Sequence, residues 1–186
     1  MLNTHNQRQF STVSRDFMEN IQYEIRLAND NDFEDIFRIY SQYFDNIFPA
    51  YDLVDKTKIY KELKEYFDER FGIFNYWVMT KESEVIGWHS LSKISNNPIK
   101  MKWRAESSIY INQNHLKFGL GEILMNFVFD IAKKDKDLYL IIGWLPINNV
   151  ANLKLTSKVG FKILGQISKS RKHKNDIDKY FIVYEI

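Results

Sequence analysis

The chain has 186 residues, 45% of them hydrophobic and 27% charged, with a formal net charge of +2. That composition fits a folded, water-soluble domain with a sizeable core, and the charge is too near neutral to make nucleic acid or an anionic membrane the main partner. No cysteine is present, which excludes a disulfide framework, a thiol nucleophile and a Cys-based metal site and is compatible with the cytoplasm; no apolar run approaches the roughly 20 residues that span a bilayer.

Residues 1–20 are polar, mixed in charge and lack an apolar stretch, so the expectation is a disordered N-terminal extension rather than a secretory signal. Order is expected to begin with the alternating strand Tyr23 to Ala28. Asn29-Asp30-Asn31-Asp32 then supplies N-cap candidates for a helix carrying Phe33, Ile36, Phe37, Tyr40 and Phe44. Pro49 interrupts it, and a second helix is expected over Lys56 to Phe67. Phe74 to Thr80 and Val85 to Lys93 read as two strands joined by the four-residue loop Lys81-Glu82-Ser83-Glu84. Ser95-Asn96-Asn97-Pro98 marks a loop.

The stretch from Arg104 to Lys134 organises the chain. It opens as the strand Ala105 to Ile111, passes through Asn112-Gln113-Asn114-His115 and reaches Gly119-Leu120-Gly121. It continues as a helix whose apolar positions Leu120, Ile123, Leu124, Phe127, Val128 and Ile131 follow helical spacing. A Gly-x-Gly turn at a helix N-terminus presents free N–H groups and the positive end of a dipole, which suits a phosphate. The same glycines also suit a tight turn that lets strand and helix pack closely, and the residues alone leave both readings open. A dinucleotide fingerprint is excluded because Leu124 occupies the place of the third glycine, and no Gly-Lys-Ser/Thr follows to make a Walker loop.

Leu138 to Leu145 is nearly continuously apolar and reads as a central strand buried on both faces. A helix over Asn149 to Val159 stops at Gly160, Phe161 to Ser168 is a strand, Lys169 to Asn175 a basic loop and Lys179 to Glu185 a last strand. The order is strand, two helices, three strands, helix, strand, helix, two strands: an α/β (α+β) domain around one sheet. His5, His89, His115 and His173 show no metal-ligand spacing, and His89 on an apolar strand reads as a core or cleft residue. Tyr40, Tyr43, Phe44, Phe48, Tyr51, Trp88 and Trp103 are candidates for an acceptor pocket, with burial in the core the commoner fate of each.

Three places resemble the GCN5-related N-acetyltransferase (GNAT) superfamily, and within it the phosphinothricin-type amino-acid acetyltransferases. Glu106-Ser107-Ser108-Ile109-Tyr110-Ile111 is similar to their Glu-Ser-Thr-Val-Tyr-Val-type strand. Leu116-Lys117-Phe118-Gly119-Leu120-Gly121 resembles the Gln/Arg-x-x-Gly-x-Gly/Ala pyrophosphate loop, with Leu116 in place of the first polar residue. Asn149 to Phe161 resembles Asn-x-x-Ala/Ser-x-x-Leu-Tyr/His-x-x-x-Gly-Phe, with Asn152 at the small position and Thr156 where Tyr or His is often the general acid.

The resemblance spans Tyr23 to Ile186. It implies a GNAT domain over residues 21–186 with a mixed, largely antiparallel sheet flanked by helices, and acetyl-CoA as cosubstrate without a metal. Glu106 would be the general base, Ile109, Tyr110 and Ile111 would lie along pantetheine, Lys117, Phe118, Gly119, Leu120, Gly121 and Glu122 would hold the pyrophosphate, and Asn149 would be a further coenzyme-binding residue. It further implies a homodimer and a small amino-acid-like amine acceptor of the phosphinothricin or methionine sulfoximine kind. Acetylation of another amine (an aminoglycoside, a polyamine, a protein N-terminus) and a noncatalytic acyl-CoA-binding module are the rival readings, the latter suggested by Leu116 and Thr156.

Overall fold

The computed structural model describes residues 23–44, 55–95, 103–116, 118–168 and 177–186. The N-terminal extension, the Pro49 break, the Asn96 to Pro98 loop, Lys117, the basic loop Lys169 to Asn175, His5, His173, Phe48 and Tyr51 lie outside the described residues.

Strand β1 (Tyr23–Leu27) leads into a 3-10 turn (Asp30–Asp32) and helix α1 (Phe33–Ser41). The turn is built by its own polar side chains. Asn29 Oδ1 accepts the Asn31 N–H at 2.9 Å, and Asp32 accepts the Asn29 N–H at 2.7 Å. Asp32 also takes two hydrogen bonds from the Arg26 guanidinium, at 2.7 and 2.8 Å. Burial opposes its charge, but Arg26 and the Asn29 N–H outweigh that and hold the carboxyl below the usual carboxylate range. Helix α2 (Lys56–Asp68) is capped by Asp55, which accepts the Thr57 and Lys58 N–H groups.

Strands β2 (Tyr76–Lys81) and β3 (Glu84–Lys93) form a hairpin tighter than the sequence suggested. Lys81 pairs with Glu84, leaving Glu82 and Ser83 as a two-residue loop with φ of 51° and 70°. Two successive left-handed residues match the right-handed twist of the strands better than a longer loop, and that twist outweighs the preference for glycine there. Strand β4 (Arg104–Ile111), helix α3 (Leu120–Ala132), strand β5 (Leu140–Pro146), helix α4 (Val150–Val159) and strands β6 (Lys162–Ile167) and β7 (Lys179–Glu185) complete the order expected from sequence.

The seven strands form one sheet in the order β1-β2-β3-β4-β5-β7-β6, antiparallel everywhere except between β4 and β5. Helices α1 and α2 cover one face of its N-terminal part, burying Phe33, Ile36, Ile39 and Phe67 against Val78, Val85 and Trp88. Helix α3 covers the other face, burying Leu120, Leu124, Met125, Val128 and Phe129 against Met79, Ala105, Ile111, Ile141 and Ile182. The strand alternation therefore sends Ala105, Ile109 and Ile111 toward α3 and Glu106, Ser108 and Tyr110 toward the α1 side. Among the described residues no helix is long and apolar enough to cross a membrane.

Candidate active site at the parting of β4 and β5

Strand β4 pairs with β3 from Ala105 to Ile111. Its pairing with β5 is confined to Arg104–Leu140, Ala105–Ile141 and Glu106–Ile142, although both strands continue. Beyond Glu106 they part, and β5 keeps only its ladder with β7 through Pro146. An interior sheet position thus carries two unpaired inner edges, and buried backbone groups in such a place demand partners. The Asn112 N–H donates to the Ile86 carbonyl at 2.8 Å, which fixes the alternation of the antiparallel ladder. Ser108 and Tyr110 direct their backbone groups to β3, while Ser107 and Ile109 direct theirs into the parting. The Ile111 carbonyl on that side accepts the Tyr43 hydroxyl. An extended amide-bearing chain is the ligand such an edge suits, added as a strand would be.

Glu106 stands at the last paired position. It is half-buried, and burial pushes its carboxyl above the ordinary glutamate value. Its carboxylate has no hydrogen-bond or ion-pair partner among the described residues; the Ser92 hydroxyl approaches only its main-chain carbonyl, at 3.4 Å. A carboxylate raised by burial and held open beside a cleft fits a proton acceptor better than a structural ion pair.

Tyr110 plays a different part from its neighbours. Its ring lies among Tyr40, Tyr43 and Trp88, with centroids 5.1, 5.4 and 4.7 Å away, and its backbone belongs to β3. Only Ile109 and Ile111 of the three expected pantetheine contacts face the α3 side of the parting. Of the acceptor-pocket candidates, Tyr40 and Tyr43 are half-buried in this cluster and Phe44 and Trp88 are buried. Trp88 donates its indole N–H to the Ile36 carbonyl at 3.0 Å. Trp103 is exposed near Tyr139.

The glycine pair serves both readings that the sequence left open. Gly119 has φ of 71° and precedes the first helical residue of α3, so it makes the left-handed turn that other residues resist. A Cβ on Gly121 would lie 3.1 Å from Leu155 and about as close as ordinary contact to Ile111 and Ile109, so this glycine lets α3 settle on β4 and α4. The Glu122 and Ile123 N–H groups both donate to the Gly119 carbonyl. That commits the Glu122 donor within the helix, and its carboxylate pairs with Lys158 at 2.7 Å. Phe118, Gly119, Leu120 and Gly121 remain as N–H donors at the positive end of the helix.

Helix α4 borders this turn. Asn149 caps it by accepting the Asn152 N–H at 3.1 Å, a structural task that occupies its side-chain oxygen. The Thr156 hydroxyl is buried and donates back to the Asn152 and Leu153 carbonyls, so it faces its own helix rather than the cleft. Gly160, with φ of 110°, ends the helix, and Phe161 packs on Phe129 and Tyr184.

Trp144 and Phe181 had no place in the sequence reading, whereas His89 was expected there as a core or cleft residue. His89 is fully buried beside β4, with Nε2 2.8 Å from the Ser107 hydroxyl and Nδ1 without a hydrogen-bond partner. Burial pushes its pKa down to about 3, opposed by the backbone of Leu124, so the ring is neutral. Trp144 and Phe181, stacked at 4.8 Å, lie on the Glu106 face just past the point where β5 leaves β4. β5 is accordingly not buried on both faces as its composition suggested, since Trp144 is 43% exposed. The signal was a large aromatic two positions after Ile142 and in step with it, but alternation alone does not say that a neighbouring strand has departed.

A parallel pair that splits at Glu106 in a mostly antiparallel sheet, with the N-terminus of α3 near the far end of β4, is the arrangement at this site. The acetyltransferase (GNAT) family model matches residues 33–161, and the chain belongs to that family. It is a GNAT-family N-acetyltransferase with acetyl-CoA as cosubstrate. The chain is similar to the ribosomal-protein-alanine N-acetyltransferase of Brucella melitensis, at 21% identity over 87% of this chain and 99% of that one, with a TM-score of 0.71. It is likewise similar to a phosphinothricin acetyltransferase of Sinorhizobium meliloti in complex with acetyl-CoA, at 18% identity over 88% of each chain (TM-score 0.70). An N-acetyltransferase of Staphylococcus aureus Mu50 gives 21% identity, 88% and 98% coverage and a TM-score of 0.69. These likenesses show the fold. Among curated proteins no sequence matches the chain. No group of side chains that would hold a metal ion occurs among the described residues.

Proposed function

We propose that the chain transfers the acetyl group of acetyl-CoA directly to the amine of a small amino-acid-like acceptor, phosphinothricin and methionine sulfoximine being representatives of the class, with Glu106 as general base. The observation that carries this reading is the position of Glu106, half-buried and without a partner, at the residue where β4 and β5 part. An alkyl amine with a pKa near ~10 is mostly an ammonium at neutral pH, so a base must remove a proton before its nitrogen can attack. Glu106 takes that proton, directly or through water. The nitrogen then bonds to the acetyl carbon, the bond to sulfur breaks to release the thiolate, and the second proton leaves the nitrogen to solvent or to that thiolate. A thiol with pKa near ~8.5 leaves without full protonation, so the turned-away Thr156 hydroxyl is no obstacle.

Pantetheine lies along Ile109 and Ile111, whose edge supplies amide partners and a donor for the thioester oxygen. The pyrophosphate sits on the N–H groups from Phe118 to Gly121. We place the reaction in the cytoplasm and in a homodimer. Ile163, Leu164 and Ile167 on edge strand β6, 53 to 63% exposed, offer a second copy an apolar surface.

Free-thiol release from acetyl-CoA across a panel of small amines tests the assignment. Glu106→Gln is expected to lower kcat by about 10²–10⁴ with the KM for acetyl-CoA little changed. For the wild type, kcat/KM should rise with pH through an ionisation above the ordinary glutamate value, since only the carboxylate accepts a proton. Equal rates for both proteins on every accepted amine remove Glu106 from this role. The buried Thr156 hydroxyl and apolar Leu116 favour one second reading, a noncatalytic acyl-CoA-binding module. Calorimetric binding of acetyl-CoA with no turnover on any amine would select it.

A further inference from the structure

On the face of the sheet that carries Glu106, charge and apolar surface follow a definite order along the strands. Arg104 lies two residues before Glu106 on the same face of β4, about 6–7 Å along the strand. It is exposed, and no acidic side chain pairs with it among the described residues. Glu106 comes next, beside Ile142. Two residues beyond Ile142, again about 6–7 Å on, stand Trp144 and its stacking partner Phe181. Trp144 also lines a shallow depression with Ile167, Ser168, Ile177 and Lys179. The sequence along this face is cation, carboxylate, aromatic surface, then the cation of Lys179.

We propose that the acceptor is an aromatic α-amino acid, its carboxylate on Arg104, its amine at Glu106 and its ring on Trp144 and Phe181. The assignment rests on the acetyltransferase reading of Glu106 above. In such an acceptor the amine stands between carboxylate and ring, the order in which Arg104, Glu106 and Trp144 occur. A guanidinium gives a carboxylate two parallel hydrogen bonds, and an indole face stacks on another ring. Lys179 repels an ammonium from the far end and so favours the orientation with the amine at Glu106. Phosphinothricin has no ring to lay on Trp144 and Phe181 and so forgoes that contact. Within the small amino-acid-like class proposed above, this surface therefore favours aromatic members.

The test is a set of kcat/KM values for phenylalanine, tryptophan, alanine, phenethylamine and phosphinothricin, with thiol release as the readout. Phenylalanine and tryptophan should exceed phosphinothricin at least tenfold. The ratio of phenylalanine to alanine should fall at least tenfold in Trp144→Ala, chiefly through KM, and return in Trp144→Phe. The ratio of phenylalanine to phenethylamine should fall at least tenfold in Arg104→Gln. Phosphinothricin as the best acceptor, or either ratio unmoved in its variant, overturns the inference while the acetyltransferase reading stands. Acetyl-CoA binding without turnover on any of these amines, or on the wider panel, removes that reading as well.

Discussion

The two parts of the sheet, β1 to β4 and β5 with β7 and β6, are built to different standards. The first is laddered throughout and helix-covered on both faces. Trp88 within it is 2% exposed and meets the Tyr76 and Tyr110 rings. The second holds to the first through three residue pairs, leaves Trp144 half uncovered on the Glu106 face, and ends in an edge strand whose residues are all exposed. The site falls at the seam. The closed part fixes where Glu106 stands, and the loosely joined part leaves β4 and β5 unpaired beyond it.

Trp88→Ala should expose the contrast most strongly. It removes a fully packed indole and leaves the Ile36 carbonyl without its indole donor, so a loss of about 3–5 kcal/mol is expected in urea denaturation. A loss below ~1 kcal/mol would mean that the closed part is not the stable one.

Acidification probes the same part through His89. Its folded pKa, about 3, lies below the ordinary value near 6.5, so the unfolded chain takes up a proton that the folded chain refuses. Stability should fall as pH drops from about 6.5 toward 3, by about 2–3 kcal/mol at pH 4.5. His89→Gln should flatten that limb, and a slope unchanged in the variant assigns the acid sensitivity elsewhere.

The smallest effect belongs to the open part. Leu164→Lys on exposed β6 should change unfolding free energy by less than about 0.5 kcal/mol while shifting the sedimentation of the proposed dimer toward monomer. A stability loss rivalling that of Trp88→Ala would erase the difference between the two parts.

Local order was legible because local chemistry determines it. The Asn29 cap, the left-handed Gly119 and Gly160 and the helical spacing of α3 depend on residues within a few positions of one another. The same is true of Glu106 as a strand carboxylate preceding an apolar strand end and a glycine turn. The role of Tyr110 was not local. Its motif position suggested a ligand contact, but the side-chain period sent the ring to α1, where Tyr40, Tyr43 and Trp88 had already assembled an aromatic cluster. The Asn149 side chain caps α4 and the Thr156 hydroxyl bonds its own helix, which the motif positions alone did not show.

By itself, then, the sequence determined the order of the elements, the glycine turn and the carboxylate placed before it, since each follows from short-range sterics and alternation. Only the tertiary structure decided that β4 and β5 run parallel, touch at three residue pairs and separate at Glu106. That follows from which strands meet and how long they remain paired, and no spacing within either strand encodes it. The same separation uncovered Trp144 and put it in line with Arg104 and Glu106, although Trp144 and Glu106 stand far apart in the chain.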